Sequence, residues 1–195
     1  MYYKKCDNMK YDDGKDRCFW CNPENELYMK YHDEEWGVLN LDDEYLFEML
    51  VLESFQAGLS WETILNKREN FKKAFDNFNL DKVIGYDDEK IDELMHDKGI
   101  IRHKLKITSA INNAKVFKDI QTEYGSFNEY LKTYTGEEII YENDKTTSPL
   151  SEEISKDLKR KGMKFVGSTI IYSYLQAIGI INSHMDNCFL YKKGE

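Results

Sequence analysis

The chain has 195 residues, 41% of them apolar, with 36 acidic and 27 basic side chains, four Cys and two Pro. A composition like this describes one core-forming domain and excludes disorder along the whole length, and at this length no disulfide framework is needed. The net charge of minus 9 speaks against a polyanionic partner until its distribution is read.

Residues 1–16 are polar and aperiodic and read as an N-terminal extension, leaving 17–195 as a single helical domain. Neither a secretory leader nor a run of about 18 apolar residues occurs, so a cytoplasmic protein with no membrane partner is expected. From Asp42, the spacing of Tyr45, Leu46, Met49 and Leu50 predicts a helix to about Ala57, with Glu53 on it and a break at Gly58. Ile64, Leu65, Phe71, Ala74 and Phe75 predict a second helix from Trp61 to about Phe78, and Ile91, Leu94 and Met95 a third over residues 87–97. After Gly99-Ile100-Ile101-Arg102-His103, a long helix carries Leu105, Ile107, Ala110, Ile111, Ala114 and Phe117 inward. Ser126 with Glu129 forms a capping box for a further helix, while 134–150 reads as a loop. Ser151 is placed as the cap of a helix that ends in Lys159, Arg160 and Lys161 and stops at Gly162. Residues 166–181 are apolar enough for a buried helix, so the fold class is all-α.

The basic charge is segregated. Residues 98–118 carry Lys98, Arg102, Lys104, Lys106, Lys115 and Lys118 with no acid, a local charge of plus 6, and Lys159, Arg160, Lys161 and Lys164 form a second cluster. These stretches are either one polyanion-facing side or two solvated helix faces. The turn at 99–103 opens a helix whose unpaired N–H groups suit a phosphate, with Arg102, Lys104 and Lys106 adding charge.

Two Cys/His groups stand at opposite ends of the chain: Cys18 with His32, and His184 with Cys188 four residues on. Two thiolates and two imidazoles make a closed tetrahedral set for a structural zinc, but Cys18 and Cys21 form a CxxC that offers the same thiolates, and buried cysteines without metal are the plainer alternative. His96 and His103 lack cysteine neighbours and read as solvent-facing. Trp20, Tyr28, Tyr31, Trp36 and Trp61 gather around the helix bearing Glu53, either as a plain aromatic core or as rings that sandwich a nucleobase beside one acid. An acid on so apolar a helix must be solvated, paired or used.

Five blocks in order, Arg17-Cys18-Phe19-Trp20, the run from Tyr31-His32-Asp33 to Trp36-Gly37-Val38, Gln56-Ala57-Gly58-Leu59-Ser60-Trp61, the turn 99–103 and Lys164-Phe165-Val166-Gly167, followed by the stretch from His184 to Cys188, resemble the DNA-3-methyladenine glycosylase I family. The resemblance covers residues 17–191 and implies an all-helical helix-hairpin-helix glycosylase with the hairpin at about 87–118. It implies one structural zinc on Cys18, His32, His184 and Cys188, with Cys21 spare, and a base site of Trp61, Tyr31, Tyr28, Trp20 and Trp36 in which Glu53 is the catalytic-site acid. Gly58 and Leu59 would supply the DNA-facing wedge, and Gly99, Arg102, Lys104 and Lys106 the backbone grip. The implied partner is alkylated double-stranded DNA, and free 3-methyladenine and an abasic site are the products of a monomeric, monofunctional enzyme. Cys21, the extension, and Leu39 in place of a family Pro depart from the pattern. Two rivals stand beside it: a zinc deaminase, whose H-x-E and CxxC would come in the opposite order, and a DNA-binding module without chemistry.

Overall fold

The computed structural model describes residues 11–192. The first ten residues of the expected extension lie outside the described residues, and Tyr11 to Asp16 run against the start of the domain, where the Tyr11 hydroxyl donates to the Cys21 carbonyl.

Helices dominate, in the order α1 (Glu26–Glu34), α2 (Asp43–Gln56), α3 (Trp61–Leu65), α4 (Arg68–Ala74), α5 (Leu80–Ile84), α6 (Asp88–His96), α7 (Lys104–Tyr124), α8 (Phe127–Thr135), α9 (Pro149–Arg160) and α10 (Ser168–Ala177). The core surrounds α2, whose Leu46, Phe47, Met49, Leu50, Leu52 and Phe55 are fully buried against α7, α8 and α10. Caps mark most of the starts. Asp42, Ser60, Asn79, Asp87 and Ser126 each accept from a first-turn N–H, satisfying donors that a helix leaves open. Asp43 reaches across to accept from the Phe127 and Asn128 N–H groups, so the start of α2 also caps α8.

Four expectations need correction. The helix expected over 61–78 is broken into α3, α4 and a 3-10 turn at Asp76–Phe78, where Asp76, Asn77 and Phe78 all take positive φ. The cap of α9 is Ser148, not Ser151; Ser151 sits at the third helical position and returns the hydrogen bond of a capping box, with Pro149 inside. Leu105, expected inward, is 60% exposed, whereas Lys106, expected outward, is buried. Leu105 lies only two residues before the buried Ile107, hence on the opposite side of the helix, while Lys106 falls four residues before Ala110 on the buried stripe. The stretch 134–150 does hold a loop, but Ile140–Tyr141 pairs in parallel with Ile181–Asn182, fastening it to the chain just before His184. Among the described residues no helix is long and apolar enough to cross a membrane.

Candidate functional site

Helix α2 carries Glu53 into the centre of the fold, on a face shared with Leu46, Met49, Leu50 and Gln56. Its Oε2 is buried and has no hydrogen-bond partner. Burial alone pushes the carboxyl up to about 8, since no basic group stands near enough to oppose it. A cavity of about 510 Å³ opens over this acid, lined by Trp20, Tyr28, Tyr31, Trp36, Trp61, Gln56 and Tyr172 among others. All five rings expected around Glu53 therefore meet at it. Tyr31 lies 5.3 Å from Trp61, and Trp20 lies 5.2 Å from Tyr28 and 4.8 Å from Trp36, between ring centroids. The Trp61 indole N–H is buried without an acceptor. Tyr31 is buried and, desolvated beside Glu53, keeps its phenolic proton well above the ordinary range.

Three residues past Gln56, the turn at Ala57 and Gly58 presents Leu59, which is 41% exposed. The segment 97–103 joins α6 to α7 as the expected helix, turn, helix, with His103 capping α7 and Arg102 and Lys104 exposed. Two members of the expected grip are otherwise engaged. The Gly99 N–H donates to the Asp97 carboxylate at 2.6 Å, and the Lys106 ammonium donates to the carbonyls of Phe55 and Ala57. The Lys164 N–H donates to Asn113 Oδ1 while Asn113 Nδ2 donates to the Lys164 carbonyl, which seats the second basic stretch on the middle of α7. Within that stretch Arg160 pairs with Asp157 and Lys161 with Glu123.

Cys18, His32, His184 and Cys188 are all buried, and one ligand atom of each lies within 4.8 Å of the others. Cys21 is left out of this set, and its burial pushes the thiol up to about 11. Cys18 Sγ is 3.6 Å from His184 Nδ1, and Cys188 Sγ is 3.5 Å from His32 Nε2 and 3.6 Å from His184 Nδ1. Bonds of about 2.3 Å to sulfur and 2.0–2.1 Å to nitrogen in a tetrahedron give S···N edges of about 3.6 Å, so the donors suit such an ion. The outward nitrogens are held as metal-binding histidines require: His32 Nδ1–H donates to Asp33 and His184 Nε2–H to the Trp36 carbonyl. Asp33 is gripped in turn by Arg17, which also binds Asp13. Burial pushes Asp33 up, but the bonds from Arg17 and His32 outweigh it and hold the carboxyl below its usual range. Among these protein groups alone, Cys188 is held as a thiolate chiefly by the hydrogen bond from Cys18, which keeps its own proton.

The two sites are one construction. Trp36 stacks edge-on against His184 at 4.7 Å, and Trp20 contacts both His32 and Trp36, so the Cys/His cluster backs the cavity wall. Spacing along the chain gives no sign of Tyr172 and Ser183, which also line the cavity with buried hydroxyls.

A ring-lined cavity with one buried acid defines a site for a flat ligand that can hydrogen-bond at its edge. Residues 20–191 match the model of the methyladenine glycosylase family, to which this chain belongs. It is 40% identical over 182 residues to DNA-3-methyladenine glycosylase 1 of Escherichia coli strain K12, covering 90% of this chain and 97% of that protein. With the DNA-3-methyladenine glycosylase of Haemophilus influenzae it shares 35% identity over 179 residues, or 88% and 96% of the two chains. Among solved structures, a 3-methyladenine DNA glycosylase I superposes with a TM-score of 0.87 at 38% identity over 91% of this chain and all of that one. The Staphylococcus aureus enzyme, whose structure addresses 3-methyladenine recognition, gives 0.84 at 34% identity over 88% and 95%.

Proposed function

We propose that this chain is a monofunctional DNA glycosylase that extrudes 3-methyladenine from alkylated duplex DNA into the Glu53 cavity and releases it by hydrolysis, leaving an abasic site. One observation carries the reading: a fully buried carboxylate with an unpartnered oxygen faces a ring-lined cavity that also holds an unpartnered indole N–H. A polar ligand must complete that pattern, because buried donors and acceptors left unmade cost about 1–3 kcal/mol each.

Methylation at N3 places a positive charge on adenine and loosens its bond to the sugar. When the bond between that base and C1′ breaks, its electron pair passes into the base and neutralises the cation. A water oxygen then bonds to C1′ and loses its proton to solvent. The protein's share is selection. The rings of Trp61, Tyr31 and Trp20 hold a cationic base better than a neutral one. Glu53, whose burial raises its pKa in the free protein, ionises when the cationic base arrives, releasing its proton to solvent and accepting from the amino edge. In surroundings of low dielectric that charge match favours the lesion over normal adenine. Outside the cavity, Leu59 fills the gap left in the stack, and Arg102 and Lys104, at the hairpin formed by α6 and α7, hold the backbone.

The Cys18, His32, His184 and Cys188 set fits one structural zinc, on the strength of its S···N edges and the two outward N–H bonds. With all four positions taken by protein, the ion supplies stability rather than reactivity, clipping the two ends of the chain behind the cavity. Cys18, Cys21 and Cys188 are buried and form no disulfide, which fits a reducing compartment such as the cytoplasm.

Incubation with methylated duplex DNA tests the activity. Free 3-methyladenine with an intact strand is expected; ammonia release, or binding without any released base, would overturn the reading in favour of a deaminase or a simple DNA-binding module.

A further inference from the structure

Lys106, expected in the backbone grip, is buried and turned inward instead. Its ammonium donates to the Ala57 carbonyl at 2.6 Å and to the Phe55 carbonyl at 2.8 Å. The second is one of the carbonyls that α2 leaves open at its end. The first belongs to a β-turn over residues 56–59, closed by the Leu59 N–H on the Gln56 carbonyl. Ala57 has φ −45 and ψ 112, and Gly58 has φ +83, which is the type II form.

Type I and type II turns differ chiefly by a half-rotation of the central peptide, here Ala57–Gly58, so the direction of the Ala57 carbonyl distinguishes them. Lys106 holds that carbonyl. A Cβ on Gly58 would meet nothing within 4 Å, so crowding around the glycine does not choose the turn. The positive φ of Gly58 favours this form by itself, and the lysine adds a hold on the carbonyl from outside the turn. Leu59 follows immediately, and Ser60 then caps α3 with Trp61 as its first residue. At the other end, Lys106 sits in the first turn of α7, three residues past the cap His103 that closes the turn 99–103.

We infer that Lys106 is a positioning residue: it latches the Ala57–Gly58 peptide in its type II orientation, so that Leu59 is presented to the DNA at a fixed offset from the backbone-gripping turn. The role assigned to Leu59 rests on the glycosylase reading; the latch itself rests on the two hydrogen bonds.

Lys106→Met keeps the apolar stem and removes the donors. Free 3-methyladenine should still quench the cavity tryptophans with an affinity within about twofold of the parent, whereas single-turnover excision from alkylated duplex should fall about tenfold or more. In a cycle with Leu59→Ala, the double variant should lose no more than about twofold beyond Leu59→Ala alone, as expected when one residue acts through another. The salt slope of DNA binding should stay unchanged, and Lys106→Arg should restore part of the excision. Multiplying losses in the double variant, unaltered excision, or a salt slope smaller by about one would overturn the latch, the last by marking a phosphate contact. If Lys106→Met does not fold, Lys106→Gln, which retains one amide donor, carries the same cycle. Exchange of the Leu59 amide proton, faster in either variant, reads the turn directly. It does so even if the parent releases no base, a result that would count against the glycosylase reading alone.

Discussion

The Glu53 carboxylate and the Trp61 indole N–H face the same cavity, and each buries a hydrogen-bonding atom that no group among the described residues satisfies. Both deficits are carried by the protein on its own, and both are removed by a ligand with a donor for one and an acceptor for the other.

Glu53 makes that cost measurable. Its folded value of about 8 lies above the unfolded value of about 4.3. Between these limits the folded state keeps a proton that the unfolded chain has released, so stability falls as pH rises through the window and levels off above about 8. Glu53→Gln removes this dependence. In urea unfolding at pH 5, 7 and 9, the variant should match the parent at the lowest pH and exceed it at the highest by an amount on the order of a few kcal/mol, while losing affinity for 3-methyladenine. A gap independent of pH would show that Glu53 is not held protonated. Single-turnover excision near the parent rate in this variant would confine Glu53 to base recognition.

The metal proposal separates two thiols. Cys21 is buried, but it lies outside the four-residue cluster. One zinc per chain should survive Cys21→Ser and be lost from Cys188→Ser, with a marked drop in thermal stability only in the latter, measured by metal analysis and calorimetry. The reverse pattern would place the ion on the CxxC.

Behind His32 stands a chain of support, His32 to Asp33 to Arg17, that orients the imidazole without touching the proposed ion. Removing such partners weakens metal binding by about 10–100-fold. Asp33→Asn should lower zinc affinity by that order in a chelator competition, while Arg17→Lys, which cannot form the paired guanidinium bonds, should produce a smaller loss. Equal zinc affinity in Asp33→Asn and the parent would leave the carboxylate a purely local role.

Gly179 closes the joint between α10 and the segment after Trp36. It has φ +78, and a Cβ there would lie 2.2 Å from the Val38 carbonyl carbon and 2.3 Å from the Leu39 nitrogen. The close approach is backbone on backbone, fixed by Gly37 N–H on the Gln176 carbonyl and Asn40 N–H on the Ile178 carbonyl. Gly179→Ala should therefore cost more than about 3 kcal/mol and disturb Trp36 with it, as a lowered unfolding midpoint and altered indole fluorescence.

The site is more legible in the sequence than the joints of the fold. Glu53 stands out because an acid on an apolar helix is anomalous, whereas the five rings and the Cys/His set are compatible with plain core or with the CxxC until the family resemblance singles them out. Lys106 is the opposite case, because charge suggests exposure, although its place four residues before Ala110 already puts it on the buried stripe. The helix expected over 61–78 fails at Asn66, Lys67 and Asp76–Phe78, where tertiary contacts impose breaks that no Gly or Pro announces. Tyr172 and Ser183 escape notice because a hydroxyl within or just past an apolar run looks like core until the cavity beside it is seen.

The inward turn of Lys106 also sharpens what electrostatics should do. With its ammonium on the Phe55 and Ala57 carbonyls and the Gly99 N–H on Asp97, the exposed Lys and Arg side chains at the α6–α7 turn are Lys98, Arg102 and Lys104, the last two beside the start of α7. Removing one cation from a B-DNA phosphate reduces the slope of log affinity against log salt by about 0.9. Arg102→Ala and Lys104→Ala should each lower the slope by about one and weaken undamaged and alkylated duplex equally, leaving free 3-methyladenine binding intact. Lys106→Met should leave the slope alone and act on excision. Titrations from low to moderate salt distinguish the two patterns, and a common slope for the parent and the Arg102 and Lys104 variants would move the DNA away from this turn.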